Sequence, residues 1–241
     1  MRLTIVEPGS FSNEELGRRE NYAKSVCSPR TDLQLVSTEP SLAPNDPFIL
    51  LVPSILERVK EAERDGYDAV VIDCFTDVGL EAAKTAVDLP IVGPCESSLH
   101  IACLLADKFG WVTPSEQGIP SCWRRAKLYG MASRITSIKA VDIPFLEYHN
   151  RKAELESKLI SLIREMMNTG AQLALIGCTA IFPALGIDSA KQLSAKLGIT
   201  IIDPIGVALN IAEVLVRLNL SQSKVAFPRA RIGYGTSSKN A

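Results

Sequence analysis

The chain has 241 residues, of which 46% are hydrophobic and 22% charged, and its formal net charge is -1 at pH 7. Acidic and basic residues are interspersed, so no basic stripe indicates a nucleic-acid partner. No apolar run approaches the roughly 20 residues that span a bilayer, and the apolar start of the chain is too short for a signal peptide. This composition predicts a globular, cytoplasmic protein with neither a nucleic-acid nor a membrane partner.

In chain order, eight short apolar runs alternate with amphipathic segments. The predicted strands are Leu3–Val6, Leu33–Ser37, Ala69–Ile72, Ile91–Val92, Gly110–Val112, Thr136–Val141, Leu173–Ile176 and Thr200–Ile202. The predicted helices include Ile49–Arg64, Val78–Ala86, Ser97–Lys108, Leu146–Asn168, Ala190–Lys196 and Ile205–Leu218. Such alternation predicts an α/β fold with parallel sheets built from right-handed crossover units.

The two halves of the chain repeat one pattern. In Gly66–Thr76 and in Gly170–Thr179, a glycine ends a helix, an apolar strand follows, and a cysteine stands eight positions after the glycine. The next strands, within Leu89–Pro94 and Gly198–Pro204, also correspond. The repeat predicts two pseudosymmetric lobes, each a short, mostly parallel sheet flanked by helices, with the active site in the cleft between them.

Lobe boundaries follow from this repeat. We expect residues 1–96 to form the first lobe, completed by a C-terminal helix over 205–222, and residues 97–204 to form the second. Residues 223–241 are expected to be a tail that is either mobile or packed on a partner subunit.

Cysteines and histidines are the first candidate reactive groups by their chemistry: thiols as nucleophiles or bases, imidazoles as metal ligands. The six cysteines are Cys27, Cys74, Cys95, Cys103, Cys122 and Cys178. With no secretory signal, free thiols are expected rather than disulfides, and most buried free cysteines pack as small hydrophobes. Neither His100 nor His149 stands in a metal-ligand spacing, so we predict no metal.

The repeated cysteines, Cys74 and Cys178, carry the strongest functional signal. Both are expected at the carboxyl ends of parallel strands, where ligands bind in α/β sheets. Each precedes a helix, whose N–H groups and dipole favour a thiolate. We predict Thr76, Asp77 and Thr179 as N-cap residues of those helices.

Two thiols that face each other across a cleft suit one reaction. One thiolate removes a proton from a carbon next to a carbonyl, and the opposite thiol returns a proton to the other face. Helix-start N–H groups would stabilise the enolate between these steps. A lone cysteine at a strand end more often packs than reacts, but two cysteines in matching repeat positions favour catalysis.

Five short motifs carry a resemblance to a known family. They are Asp73–Leu80, Gly93–Glu96, Trp111–Pro114, Ile176–Thr179 and Ile202–Pro204. In these the chain resembles the aspartate/glutamate racemase superfamily, and within it the hydantoin racemase branch, which includes allantoin racemases. The resemblance extends from about Leu3 to Lys224.

The resemblance implies cofactor-independent racemisation of a hydantoin-type ring by Cys74 and Cys178, in a homo-oligomer that acts on a small molecule. It implies a substrate pocket lined by Phe75, Thr76, Glu96, Thr113 and Thr179. The loop after the first strand reads Glu7-Pro8-Gly9-Ser10 where the branch has an Asn-Pro-Asn-like loop. We place Pro8 and Gly9 at the substrate and expect Glu7 to add negative charge there.

The sequence leaves other functions open. The second motif, Cys178-Thr179-Ala180, is closer to amino-acid racemases and maleate isomerases, so an Asp/Glu racemase or a maleate-type cis–trans isomerase is an alternative. A one-thiol decarboxylase and a non-catalytic small-molecule binder are further alternatives. No arginine or lysine stands prominently in the motifs, which favours a neutral ligand. Glu96 and Asp203 are each either helix-start acids or ligand contacts.

Overall fold

A computed structural model of the chain describes residues 1–39 and 47–229. The strands are β1 (Arg2–Glu7), β2 (Asp32–Ser37), β3 (Ala69–Ile72), β4 (Ile91–Val92), β5 (Phe109–Thr113), β6 (Ile135–Ala140), β7 (Leu173–Ile176) and β8 (Thr200–Ile202). The helices are α1 (Asn13–Val26), α2 (Val52–Arg64), α3 (Leu80–Ala86), α4 (Pro94–Leu105), α5 (Ile119–Leu128), α6 (Lys152–Asn168), α7 (Ile181–Leu185), α8 (Ser189–Leu197) and α9 (Pro204–Arg217). The predicted strands are confirmed, and no strand end differs by more than one residue.

The strands form two sheets with the same topology. The first has the order β2-β1-β3-β4 and the second β6-β5-β7-β8, which is the first order shifted by four strands. Every strand pair in both sheets is parallel. The α/β class and the repeat are therefore confirmed, and the sheets are wholly parallel because each connection crosses over through a helix.

Both faces of each sheet are buried, which explains the apolar runs in the sequence. In β3, Val70 and Ile72 pack in one cluster with α2 and α3, whereas Ala69 and Val71 pack in another with α1 and α9. In β7, alternate residues likewise pack on opposite faces of the sheet, one set against α4 and α5 and the other against α6 and α8.

Two helices join the halves. Helix α4 follows β4 of the first sheet but packs on β7 of the second, and α9 follows β8 but packs on β3 and β4. The two helices also pack against each other. The predicted boundary between residues 96 and 97 therefore falls inside α4. We propose that α9 completes the first lobe, which its contacts with β3 and β4 support.

An aspartate caps each joining helix. Asp203 caps α9 directly, because the Ile205 N–H donates to its Oδ1 at 3.1 Å. At the equivalent position before α4 the residue is Gly93, and Asp77 supplies the carboxylate instead, accepting from the backbone N–H of Glu96 at 2.8 Å. A Cβ on Gly93 would collide with the Asp77 carboxylate, with its Cγ only 2.7 Å away. Glycine at this position makes room for the borrowed cap.

Each capping carboxylate also accepts a hydrogen bond from a tyrosine of the other half. Tyr129 donates to Asp77 at 2.6 Å, and Tyr22 donates to Asp203 at 3.0 Å. Burial raises the pKa of both carboxyls to about 6, against which these hydrogen bonds act. For Asp203, the structure therefore supports the helix-start role.

The start of the predicted tail packs on its own chain. The Gln222 side-chain amide donates to the carbonyl oxygens of Val87 and Leu89, each at 3.0 Å. Arg229 forms an ion pair with Glu63 at 2.8 Å. The tail is therefore bound to the first lobe as far as 229, and the rest of it lies outside the described residues.

No helix within 1–39 and 47–229 is long and apolar enough to cross a membrane.

Candidate active site

Cys74 and Cys178 occupy equivalent places, directly after the loop residue that follows β3 and β7. Both thiols are free and half-buried. The predicted N-caps between them and the helices are wrong: α3 is preceded by Gly79 and α7 by Ala180, and neither helix has a side-chain cap.

The misplaced caps have a physical reason. Asp77 adopts a left-handed backbone with φ of 50° and turns its carboxylate toward α4. The Thr76 hydroxyl turns back toward Cys74, with Oγ1 3.1 Å from the sulfur. The side chains predicted to start helices are thus bound to other groups.

Burial dominates the electrostatics of both thiols. It raises the pKa of Cys74 to about 11, against the Thr76 hydroxyl and backbone N–H, which favour the thiolate. Burial likewise raises the pKa of Cys178 to about 11, against the backbone N–H of Ala180 and the guanidinium of Arg19. In both loops, then, the amide two residues after the cysteine favours the thiolate.

Charged groups around the two thiols are unequal. The carboxylates of Glu7 and Asp73 raise the pKa of Cys74. At Cys178, Asp73 raises the pKa of the thiol and the cation of Arg19 lowers it. Asp73 acts on both sulfurs and so connects the two halves of the site electrostatically.

Arg19 is tied to two carboxylates. Its Nη1 lies 2.8 Å from Glu7 Oε2, and its Nε lies 2.9 Å from Glu15 Oε1. Arg19 and Glu7 are only 4% and 2% exposed. Burial raises the pKa of Glu7 well above its ordinary value, and neighbouring Asp73 raises it further, whereas Arg19 acts in the opposite direction. The Arg19 guanidinium is therefore already paired with two carboxyl groups of the protein.

The sheet brings these acids together. Val6 of β1 pairs with Ile72 of β3, so Glu7 and Asp73, which come next, lie side by side. Helix α1 supplies Arg19 above them. The Arg19 guanidinium lies 4.6 Å from the ring centre of Phe11, which meets Phe145 edge-on at 6.3 Å.

The other predicted site residues lie in several places. Thr76 and Glu96 line one cavity of about 810 Å³, in which Lys84 pairs with Glu96. The thiols are not among its lining residues. Phe75 packs edge-on against Trp111, with ring centroids 5.3 Å apart, so it belongs to the core between β5 and α4.

Thr113 and Thr179 are buried, and the Thr113 hydroxyl accepts from the Cys122 thiol at 3.4 Å. In the loop after β1, Pro8 and Gly9 are buried too. The Gly9 N–H donates to the Thr38 hydroxyl at 2.8 Å, which holds this loop against the end of β2.

Two neighbours of the thiols were missed by the sequence analysis. Arg19 lies on α1, a helix with so weak an apolar stripe that it is absent from the predicted helices. Tyr148 follows the short 3₁₀ turn Phe145–Glu147, thirty residues before Cys178, and no motif points to it. Tyr148 belongs to the core cluster against which Cys178 packs, and its hydroxyl lowers the pKa of that thiol.

Cys95 is fully buried in the core, and both histidines are exposed. In the part of the chain that the structure describes, no three His, Cys, Asp or Glu side chains converge as a metal site.

Comparisons with known proteins agree with this fold. The Asp/Glu/Hydantoin racemase family matches residues 44–212. The hydantoin racemase of Paenarthrobacter aurescens is 32% identical over 233 residues, 93% of this chain and 94% of that protein. The hydantoin racemase of Pseudomonas sp. (strain NS671) is 29% identical over 232 residues, 93% and 90% of the two chains.

Among solved structures, the allantoin racemase from Klebsiella pneumoniae superposes with a TM-score of 0.85 at 25% identity, covering 98% of this chain and 97% of the other. The fold and the match together define the class: the chain belongs to the Asp/Glu/hydantoin racemase family. It is accordingly an isomerase, a racemase with hydantoin and allantoin racemases among its relatives.

The glycine before Cys178 offers a test of how this loop is held. A Cβ on Gly177 would collide with the Trp111 indole nitrogen and lie 2.7 Å from the Val112 carbonyl oxygen. Because backbone cannot move aside cheaply, we expect Gly177→Ala to lower the free energy of unfolding by about 3 kcal/mol or more. Urea unfolding measures this.

Gly17 is the matched control, since it lies inside α1 with nothing within 4 Å of its added Cβ. Gly17→Ala is expected to stabilise the protein by about 0.5–1 kcal/mol. A Gly177→Ala protein as stable as the unsubstituted chain would contradict this account of the loop.

Proposed function

We propose that this chain is a cofactor-independent racemase of a hydantoin-type ring, with Cys74 and Cys178 as its two proton-transfer groups. The observation that carries the proposal is their equivalence: each cysteine follows the third strand of its sheet, with a backbone N–H two residues later favouring the thiolate. Packing alone gives no reason for two half-buried thiols to share the same strand position and the same N–H group.

The proposed reaction uses one thiolate and one thiol. The thiolate removes the proton from the stereogenic ring carbon next to a carbonyl, and the electron pair moves onto the carbonyl oxygen as an enolate. The opposite thiol then protonates the other face, so the configuration inverts and the thiolate has changed sides. The reverse reaction exchanges the two roles.

The charge balance favours a neutral ring over a diacid. Arg19 is held by Glu7 and Glu15, so a substrate with two carboxylates would add negative charge without a free partner there. Asp73, only 5% exposed, has a carboxylate oxygen with no hydrogen-bond partner among the described residues. A ring N–H would satisfy that acceptor.

The test is a substrate screen followed by circular dichroism, in which single enantiomers of 5-substituted hydantoins, allantoin, aspartate and glutamate are incubated with the protein. We expect loss of optical activity with a hydantoin or allantoin. Maleate is assayed alongside by its absorbance. Activity confined to aspartate, glutamate or maleate would reject the proposed substrate class, and binding without turnover would reject catalysis.

A cytoplasmic location and a homo-oligomeric state remain predictions alongside this proposal. Six free thiols support the first.

A further inference from the structure

Tyr148 presents a buried hydroxyl without a hydrogen-bond partner. The residue is 1% exposed, and its hydroxyl makes no hydrogen bond of good geometry within the described residues. Its ring packs in the core cluster that contains Ile143 and Leu155. Leaving a buried hydroxyl unpaired is unfavourable, so the group needs an explanation, and a catalytic role is one.

The position of this hydroxyl relates it to the reaction. Cys178 packs against the core cluster that contains Tyr148, and burial together with that thiol raises the pKa of Tyr148 above its ordinary value. The group therefore stays protonated and remains a hydrogen-bond donor at the pH where the enzyme would work.

The two halves of the site differ in how a hydroxyl is supplied. Cys74 has Thr76 two residues later, whose hydroxyl is 3.1 Å from the sulfur. The equivalent position after Cys178 is Ala180, which has no hydroxyl. Tyr148, from the loop after β6, brings a hydroxyl to that half instead.

The proposed enolate needs a hydrogen-bond donor directed at its oxygen. The amides of Thr76 and Ala180 are directed at the sulfurs, where they favour the thiolates. When a thiolate takes the carbon-bound proton, the C–H electron pair becomes a carbon–carbon π bond and the carbonyl π pair moves to oxygen. That oxygen carries the new charge until the second thiol returns a proton, and no electrons are gained or lost.

We infer that Tyr148 is a catalytic residue that donates its hydroxyl hydrogen bond to the substrate carbonyl oxygen, and that this bond strengthens as the oxygen becomes an enolate. The inference rests on the proposed function and deepens it. A donor placed where charge develops typically contributes about 10²–10³-fold to kcat.

Tyr148→Phe removes this one atom and keeps the ring. We expect kcat for the hydantoin or allantoin that the unsubstituted enzyme racemises to fall about 10²–10³-fold. The midpoint of thermal unfolding should be unchanged or higher, because the lost hydroxyl had no partner.

The matched control is Tyr22→Phe, which deletes a hydroxyl that is bonded to Asp203 at 3.0 Å. Its kcat should stay within about threefold, and its unfolding midpoint should fall by about 2–4 °C. A merely structural role for Tyr148 would give this control pattern.

A second measurement separates an effect on the substrate from an effect on the Cys178 thiol. In a Cys74→Ser background, the rate at which iodoacetamide alkylates Cys178 reports its thiolate. We expect Tyr148→Phe to slow alkylation less than tenfold at pH 8, well below the loss in kcat. Equal losses in both would show that Tyr148 acts on the thiol alone and would overturn the inference.

Binding of a planar ring tests the same bond without turnover. A 5-alkylidene hydantoin has a flat ring carbon with no removable proton, and Tyr148→Phe should weaken its binding about tenfold or more. Unchanged binding and kcat within fivefold of the unsubstituted enzyme would overturn the inference. If the unsubstituted enzyme racemises no hydantoin or allantoin, the proposed function fails and the inference falls with it.

Discussion

Replacing either Cys74 or Cys178 by alanine is expected to lower kcat/KM for racemisation by about 10²–10⁴-fold, the usual contribution of a positioned acid or base. The two enantiomers of the substrate have equal free energies in solution, so kcat/KM must fall equally in both directions. The measurement is optical rotation or circular dichroism with each enantiomer as the starting substrate.

Single replacements should leave one half-reaction intact. The remaining thiol still reaches one face of the ring, so each variant is expected to exchange the α-proton of one enantiomer only, and the two variants should prefer opposite enantiomers. Cys27→Ser is the control, because that thiol follows the end of α1 and donates to the Lys24 carbonyl oxygen at 3.7 Å. Cys74 and Cys178 variants within fivefold of the unsubstituted enzyme would remove the thiols from the mechanism.

The rate should rise steeply with pH. With both thiol pKa values raised to about 11 by burial, the thiolate needed as base is scarce near neutrality. Below its pKa the thiolate fraction grows tenfold per pH unit, so kcat/KM should increase about 100-fold between pH 7 and pH 9. The profile belongs to the pair of thiols, because ionising one disfavours ionising the other.

The same shift has a stability consequence whose sign can be checked. A thiol ionises at a lower pH in the unfolded chain than in the folded one, so alkaline pH favours unfolding. The contribution of each buried thiol to the free energy of unfolding is fully present below the unfolded pKa near 9 and falls as the pH rises toward 11.

Rates should therefore be compared only where circular dichroism shows a folded protein, with the substrate's own ionisation measured separately. A rate that is already level between pH 7 and pH 8 would contradict raised thiol pKa values.

Much of the fold could be predicted from local patterns in the sequence. Strands β3, β4 and β7 are continuous apolar runs because both sheet faces are buried there. The repeat around Cys74 and Cys178 predicted two sheets of equal topology. Such features depend on residues near one another in the chain, which is why the pattern reveals them.

Features that depend on long-range packing could not be predicted in this way. Asp77 looked like a helix start after Cys74, but Gly93 lacks a side chain and lets the carboxylate reach α4, eighteen residues along the chain. Tyr148 reaches Cys178 only through the packing of the loop after β6. The Glu7–Arg19 pair likewise needs α1 to lie over β1, and the apolar stripe of α1 is too weak for the helix to be predicted.

The most direct test of the central claim is to follow the α-carbon of a single enantiomer of the racemised substrate in D₂O by mass spectrometry and NMR. If two thiols act on opposite faces, early product carries solvent deuterium while the remaining substrate keeps its hydrogen, after subtraction of an enzyme-free sample. Product that retains the original hydrogen, or exchange that persists when both Cys74 and Cys178 are alanine, would contradict the two-thiol mechanism.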